Sequence, residues 1–299
     1  MIRSVDEYLR QLKKELAGSD PAVIQDAVSD AEEHLRIALA QAYKANPNIS
    51  EADAIPPIID KYGSAEEVAA AYRQMEQRLP PGLGRPASSA RRSPIARFFG
   101  VFADPKAWGA LLYMILALGT GIIYFTWVIT GLSVSLGLLV LIVGLPLLIL
   151  FLLSVRVIGF VEGRLVEALL GVRMPRRQRA TDKSIGWWQR IKNLFRERNT
   201  WTTMAYSISQ LPLGIVYFTV FVALIAGSLY FIATPITMLV FHAPPYVIVG
   251  DTEYRAVNWA IPLFVIGGVL LITAAMHLAK LVGRAHGGLA KFMLVSKKT

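Results

Sequence analysis

The stretch that decides the fold is residues 108–155, WGALLYMILALGTGIIYFTWVITGLSVSLGLLVLIVGLPLLILFLLSV, which contains no charged side chain in 48 positions. Two further uncharged runs follow at 201–250 and 256–279. Since a helix needs about 20 apolar residues to cross a bilayer, the first run predicts two spans with a tight turn at 130–133. The last run predicts one span.

The middle run contains breaks that shorten its span. Pro235, Pro244 and Pro245 interrupt the helical pattern, and residues 246–252 have the composition of a strand and a turn. We therefore predict one span here, followed by a loop. The resulting membrane domain, 107–299, has four spans at about 107–130, 134–156, 202–234 and 257–280, a connector at 156–200 and an external loop at 236–256.

Composition and charge agree with membrane insertion. The chain has 299 residues, 54% of them apolar, and a mean hydropathy of +0.47. Its net charge of +10 comes from basic residues beside the spans, since 156–200 carries eleven Lys and Arg. Lys and Arg are retained on the cytoplasmic side, which predicts a bacterial inner-membrane protein with both termini cytoplasmic. Topology and membrane lipids explain this charge better than nucleic acid does.

Residues 1–79 have the pattern of a small soluble helical bundle. Capping-box pairs begin its first and last helices at Ser4 and Ser64, and Asp20 with Pro21 begins the second. Pro56 and Pro57 predict a third helix that is kinked or that starts only at Pro57. Residues 80–106, rich in Pro, Gly, Ser and Arg, predict a basic linker. The expected fold class is all-α, a small helical bundle followed by a polytopic four-helix membrane bundle.

The N-terminal pattern resembles a known family. Glu7-Tyr8-Leu9, an acidic second helix and the segment YGSAEEVA at 62–69 are similar to the HAAS signalling domain. That resemblance implies a cytoplasmic regulatory role, frequently with a PadR-like repressor as partner, and no catalysis.

The membrane domain contains an internal repeat of one hairpin. At an offset of 93, Trp108, Tyr113 and Gly121 recur as Trp201, Tyr206 and Gly214, and the segment GIxYFT recurs with them. At an offset of 124, the pattern [R/K]xxGxxxGxL at 156–165 recurs at 280–289. Both copies enter from the same side, so we predict a parallel repeat, with the external loop inserted in the second copy.

The repeated half also resembles a family, the bacterial "putative sensor" membrane domain found ahead of sensor histidine kinases. The matching segments are 107–126, LVEALLGVRMP at 165–175 and NTWTTMAYSISQLPLGIVYFT at 199–219. The resemblance implies a sensor without a kinase, because only about 19 residues follow the last predicted span.

Four groups of side chains are candidate sites. The repeated GIxYFT segments predict either helix packing or a ligand pocket through Gly121, Tyr124, Phe125, Thr126, Gly214, Tyr217, Phe218 and Thr219. Interface anchors are expected at Trp108, Trp201, Trp187 and Trp188. Lipid-headgroup contacts are expected at Arg173, Arg176, Arg177 and Arg179. An external signal loop would present His242, Tyr246, Asp251, Glu253, Tyr254 and Arg255.

These patterns favour a membrane sensor or regulator that relays an envelope or lipid signal to a cytoplasmic partner. No enzyme motif, cofactor motif or metal-ligand cluster is recognisable, and the chain has no cysteine. A small-molecule or lipid transporter and a non-catalytic membrane scaffold stay open as alternatives, as does a homo-oligomer.

Overall fold

The computed structural model describes residues 2–78, 93–141, 144–176, 195–241, 246–249, 252–255 and 261–295. The all-α prediction is confirmed, with one short β-hairpin as the exception among these residues. The chain divides into two compact units. Unit 1 comprises 1–84, 131–206 and 288–299, and unit 2 comprises 85–130 and 207–287.

The N-terminal part of unit 1 is a bundle of four helices. They are α1 (Val5–Glu15), α2 (Pro21–Ala45), α3 (Glu51–Tyr62) and α4 (Ala65–Arg78). The predicted caps are present, since Ser4 accepts a hydrogen bond from Glu7 N, Asp20 from Ala22 N and Ser64 from Glu67 N. The core is formed by Tyr8, Leu12, Leu16, Leu35 and Ile55, all fully buried. The Tyr8 hydroxyl also donates to Gly63 O.

The third helix starts at Glu51 and not at Pro57, so one of the two predicted alternatives is excluded. α3 is one uninterrupted helix from Glu51 to Tyr62 and contains both Pro56 and Pro57. Neither proline can donate to the preceding turn, yet Ile55 beside them is fully buried. Packing of this helix against α2 therefore outweighs the lost backbone hydrogen bonds.

Four long helices are apolar enough to cross a membrane, as predicted. They are α6 (Pro105–Gly137), α7 (Gly144–Leu170), α8 (Arg198–Phe241) and α9 (Ile261–Leu294). A short helix α5 (Pro94–Phe99) and a 3₁₀ turn (Gly100–Ala103) precede α6, and a second 3₁₀ turn (Leu138–Leu141) follows it. Large apolar side chains are exposed along the spans, as helices facing lipid require, for example Ile123, Leu150 and Leu263.

Each long helix is longer than its predicted span. The predicted turn at 130–133 lies inside α6, which continues to Gly137. Helix α8 continues through Pro212 and Pro235 to Phe241. Residues 159–170, which the sequence assigns to the connector, are the C-terminal part of α7. A helix that leaves the bilayer can continue on charged residues, so an apolar window marks the membrane core and not the helix ends.

The loop of the second copy contains the predicted strand. Strands β1 (Tyr246–Val249) and β2 (Thr252–Arg255) pair antiparallel, with Tyr246 opposite Arg255 and Val249 opposite Thr252. The hairpin follows α8 and precedes α9.

The repeated glycines of unit 2 lie where α6 and α8 touch. A Cβ on Gly121 would come within 2.7 Å of Gln210 O, and one on Gly214 within 2.4 Å of Ala117 O. Ala117 and Gln210 are themselves 93 residues apart, so the two contacts are the same contact made in both directions. Helices pack this closely in membranes only where small residues meet, which supports the packing interpretation of these glycines.

Candidate functional site

An arginine after α7 is the centre of a buried ionic network in unit 1. Helix α7 ends at Leu170, and Gly171 follows with a φ of 67°, a backbone conformation that favours glycine. Gly171 N donates to Glu167 O, which closes the helix. The chain then turns away, and the Met174 and Pro175 carbonyls both accept hydrogen bonds from Arg164. The LLGVRMP segment is thereby held in a fixed path.

That path directs Arg173 towards the N-terminal bundle. Its Nη2 donates to Asp26 Oδ2 at 2.9 Å, and its Nε donates to Glu76 Oε1 at 2.7 Å. Asp26 lies on α2 and Glu76 on α4. A third carboxylate, Glu167 of α7, lies 3.7 Å from Arg173 Nη1. One guanidinium therefore connects two helices of the bundle to the end of a long apolar helix.

A second arginine completes the network. Arg176 donates from its backbone N to Asp26 Oδ1 at 2.7 Å and from its side chain to Glu167 Oε1 at 3.1 Å. Lys291 of α9 forms a separate ion pair with Asp20, the N-cap of α2. Arg164 also forms an ion pair with Glu167 at 2.7 Å. Three arginines and three carboxylates from three segments distant in sequence thus compensate one another.

Burial makes this network costly to break. The side chain of Arg173 is 8% exposed and that of Asp26 is 6% exposed. Burial alone would lower the pKa of Arg173, but the hydrogen bond to Glu76 and the charges of Asp26 and Glu167 raise it above its ordinary value. The guanidinium stays charged, and removing it would take one positive charge away from the buried carboxylate of Asp26.

The structure gives Arg173 a different environment from the predicted lipid headgroups. Its guanidinium is bound by carboxylates of the protein, and Arg176 is shared between Asp26 and Glu167. The sequence predicted both residues beside the membrane because the segment 156–200 is rich in Lys and Arg. A sequence pattern does not show that an arginine pairs with an acidic residue about 150 positions away. Arg177 and Arg179 lie outside the described residues.

A buried polar cluster lies in unit 2. A hydrogen bond joins the Tyr113 hydroxyl and His286 Nε2 at 2.7 Å, and the Tyr217 hydroxyl lies 3.3 Å from His286 Nδ1. Gln210 Nε2 donates to the Tyr113 hydroxyl at 3.1 Å. Tyr113, Gln210 and His286 are almost completely buried. The cluster connects α6, α8 and α9.

Unit 1 contains the corresponding pair. The Tyr206 hydroxyl donates to Glu162 Oε1 at 2.8 Å, and both side chains are buried. Tyr206 lies 93 residues after Tyr113, and His286 lies 124 residues after Glu162. The two pairs are therefore one contact of the repeated hairpin, and in each pair the tyrosine of one copy binds a side chain of the other copy.

Other contacts follow the same exchange between copies. Lys280 forms an ion pair with Asp104 in unit 2, and Arg156 forms one with Glu197 in unit 1. Asp104 and Glu197 are 93 residues apart, and Arg156 and Lys280 are 124 apart. Sequence reasoning found the basic members and the tyrosines but missed Asp104, Glu197, Glu162 and His286. A comparison of polar residues at offsets of 93 and 124, and not only of identical residues, would have identified these four positions.

Within each GIxYFT segment, the tyrosine and the threonine lie on different faces of the helix. Tyr124 is buried and Tyr217 contacts His286, whereas Thr126 and Thr219 are exposed. Phe125 and Phe218 are half-buried. Tyr217 therefore belongs to the polar packing of the helices and Tyr124 to their buried interior, whereas the two threonines lie on the exposed surface.

The predicted anchors Trp108 and Trp201 have matching surroundings. About half of each side chain is exposed. Trp108 Nε1 donates to Phe102 O, and Trp201 Nε1 donates to Phe195 O, both at 2.8 Å. An exposed ring whose N–H is satisfied suits the membrane interface. Trp187 and Trp188 lie outside the described residues.

The predicted external signal loop is described only by its backbone. Tyr246 belongs to β1, and Glu253, Tyr254 and Arg255 belong to β2. His242 and Asp251 lie outside the described residues, so the signal role of this loop stays a prediction. No cluster of three or more metal-ligating side chains occurs within the described ranges.

Two family models match the chain, one over the long apolar helices and one over the N-terminal bundle. The model of the family described as "Putative sensor" matches residues 113–294, well over half of the chain. The chain belongs to this family. The HAAS family model matches residues 7–71, so the Putative sensor domain here is fused to an N-terminal HAAS domain, as the sequence motifs predicted. No curated protein matches the chain, and no solved structure does.

The matched ranges also locate the Arg173 network. Asp26 lies within the HAAS match, and Glu167, Arg173 and Arg176 lie within the Putative sensor match. Among the described residues of unit 1, the most buried ion pair therefore joins the two family domains.

Proposed function

We propose that this chain is a non-catalytic sensor of the bacterial inner membrane. In this proposal its spans respond to an envelope or lipid signal, and residues 1–79 relay that response to a cytoplasmic partner. The observation that carries the proposal is the hydrogen bond from Arg173, in the Putative sensor domain, to Asp26 in the HAAS domain.

The chemistry of this contact suits a switch with two states. Arg173 neutralises carboxylates on α2, α4 and α7. A movement at the end of α7 would therefore separate Arg173 from Asp26 on α2 and Glu76 on α4 together. Breaking a buried pair costs about 3–5 kcal/mol when one charge is left uncompensated. Water reaching the separated groups would offset much of that cost, and the released bundle would then be free to bind a partner.

The charge distribution supports a cytoplasmic position for the relay. The Arg173 segment follows α7 within a stretch rich in Lys and Arg, which are retained inside, and the N-terminal bundle is bound to that segment. Both termini are then cytoplasmic. A PadR-like repressor is the partner class that the HAAS domain suggests.

The test removes the charge of Arg173 in the full-length protein. In R173Q we expect faster hydrogen exchange across 21–35 of α2, measured in detergent. In cells we expect R173Q to change transcript levels in the direction opposite to deletion of residues 1–79, because R173Q releases the bundle to its partner and the deletion removes the bundle. R10Q is the matched control, because Arg10 is an exposed arginine of α1 and its loss removes the same charge without touching the network.

Two outcomes would contradict the proposal. One is a deletion of residues 1–79 that leaves all transcript levels as in wild-type cells. The other is an R173Q variant whose α2 exchanges faster while its transcript profile stays that of the wild type, since the contact would then be structural only.

A further inference from the structure

A cavity of about 530 Å³ lies in unit 2 where α5 and its following 3₁₀ turn face α9. Arg97, Asp104, His277 and Lys280 supply its polar lining, and Ala96 lies on its wall. None of these residues belongs to the Arg173 network. The cavity is therefore a separate feature of the sensor domain.

The walls of this cavity are held by specific contacts. His277 Nε2 lies 2.9 Å from Phe98 O, and the two rings stack with centroids 5.3 Å apart. Lys280 pairs with Asp104, whose Oδ1 also accepts a hydrogen bond from Lys106 N at 3.0 Å. A ligand entering this cavity would meet side chains that are already positioned.

The lining has an excess of positive charge. Asp104 is the one carboxylate among the lining residues that the structure describes. Burial alone would raise its pKa, but Lys280 and Lys106 hold the pKa below the ordinary value. Arg97 is exposed, and its side chain makes no hydrogen bond or ion pair with any residue in the described part of the chain. Two cations, Arg97 and Lys280, therefore line the cavity beside one anion, and Arg97 presents a planar donor group.

The neighbouring surface places the cavity at a membrane. Helix α5 exposes Ile95 and Phe99, two large apolar residues, and it directly precedes the span that begins at Pro105. Trp108, half-exposed on the first turns of that span, is a residue typical of the lipid interface. A short helix with exposed apolar and basic residues at the start of a span lies at the level of the headgroups.

We propose that this cavity binds the phosphate of an anionic phospholipid, with Arg97 and Lys280 as donors. The guanidinium of Arg97 can bind two phosphate oxygens at once, and the ammonium of Lys280 has donors left beside Asp104. The site stands whether or not the N-terminal bundle relays a signal.

The experiment uses the full-length protein in detergent with soluble short-chain lipids. Affinity is measured for dihexanoyl phosphatidylglycerol, for dihexanoyl phosphatidylcholine and for inorganic phosphate at matched ionic strength. Two variants probe the site, R97Q to remove a donor and A96W to fill the cavity without changing its charge. R284Q is the matched control, since Arg284 is an exposed arginine one turn beyond Lys280 on the same helix.

We expect the wild type to bind phosphatidylglycerol about tenfold more tightly than phosphatidylcholine, and R97Q to lose about that factor, as removal of one charge-assisted hydrogen bond does. A96W should weaken binding as well, and R284Q should not. Equal losses in R97Q and R284Q would overturn the proposal, because they would indicate general attraction to a basic surface. If inorganic phosphate binds as tightly as phosphatidylglycerol and depends on Arg97, the site holds a free phosphate and the lipid assignment is wrong.

Discussion

The Tyr206 hydroxyl donates a hydrogen bond to Glu162, and the corresponding tyrosine of the other copy binds His286 in place of a glutamate. One position of the repeat therefore holds a carboxylate in one copy and an imidazole in the other. The two hairpins share their packing but differ in the chemistry at its centre.

This difference predicts unequal effects of removing the two hydroxyls. A hydrogen bond to a charged group contributes about 1.5–3 kcal/mol and one between neutral groups about 0.5–1.5 kcal/mol. Y206F leaves a buried carboxyl group with one donor fewer. Because Tyr113 also accepts a hydrogen bond from Gln210, Y113F is made in a Q210M background and compared with Q210M alone. We expect Y206F to lower the thermal unfolding temperature more than Y113F does in that background. Both variants are compared in the same detergent. An equal decrease would show that Glu162 and His286 interact with their tyrosines as neutral groups.

The contact between the repeated glycines predicts a position-specific effect of adding one methyl group. In G214A the new Cβ would lie 2.4 Å from Ala117 O, a backbone atom that cannot rotate away. We expect a loss of about 1–3 kcal/mol, the usual cost of overpacking, measured as a lower unfolding temperature or denaturant midpoint.

The matched control for that substitution is G119A. Gly119 lies in the same repeat region on α6, and a Cβ there would meet no atom within 4 Å. Alanine is also the better helix former, so G119A should be neutral or slightly stabilising. If both variants lose the same stability, the close approach of α6 and α8 does not contribute to folding.

The sequence predicted the number of spans, the repeat and the N-terminal bundle, because each depends on a local period or a cap. Tyr206 and Tyr113 were identified as repeat partners for the same reason. The hydrogen-bond partner of each tyrosine was not predictable in this way. Each tyrosine binds a side chain of the other copy, and that contact depends on how the helices pack in three dimensions. Arg173 shows the limit most clearly. Its partner Asp26 is 147 residues away, and no property of a basic segment says which carboxylate it will meet.

The ion pair between Asp104 and Lys280 predicts a pH dependence of stability. Burial alone would raise the pKa of Asp104, but the hydrogen bonds and charges of Lys280 and Lys106 hold it below its ordinary value of 3.8. A carboxyl group with a lowered pKa stabilises the folded state at pH above its ordinary value, and that contribution is lost as the pH falls through the folded-state pKa.

The variant D104N should therefore be less stable than the wild type at neutral pH, and the difference should shrink as the pH falls below 3.8. Unfolding temperatures of both proteins across this range provide the measurement. A difference that stays constant with pH would mean that Asp104 contributes through its shape and not through its charge.

Gly171 predicts a test of how Arg173 is positioned. An L residue in this left-handed conformation costs about 1–2 kcal/mol, so G171A should destabilise the protein by that amount or shift the chain path that carries Arg173. If positioning is the larger effect, the cost of G171A depends on Arg173. In a double-mutant cycle, G171A/R173Q should then lose little more stability than R173Q alone.

Gly18, with a φ of 85° and no atom within 4 Å of an added Cβ, is the control, because its backbone strain is similar and it lies outside the network. The costs of G18A and R173Q should add. Additive costs in both cycles would show that Gly171 only relieves local strain.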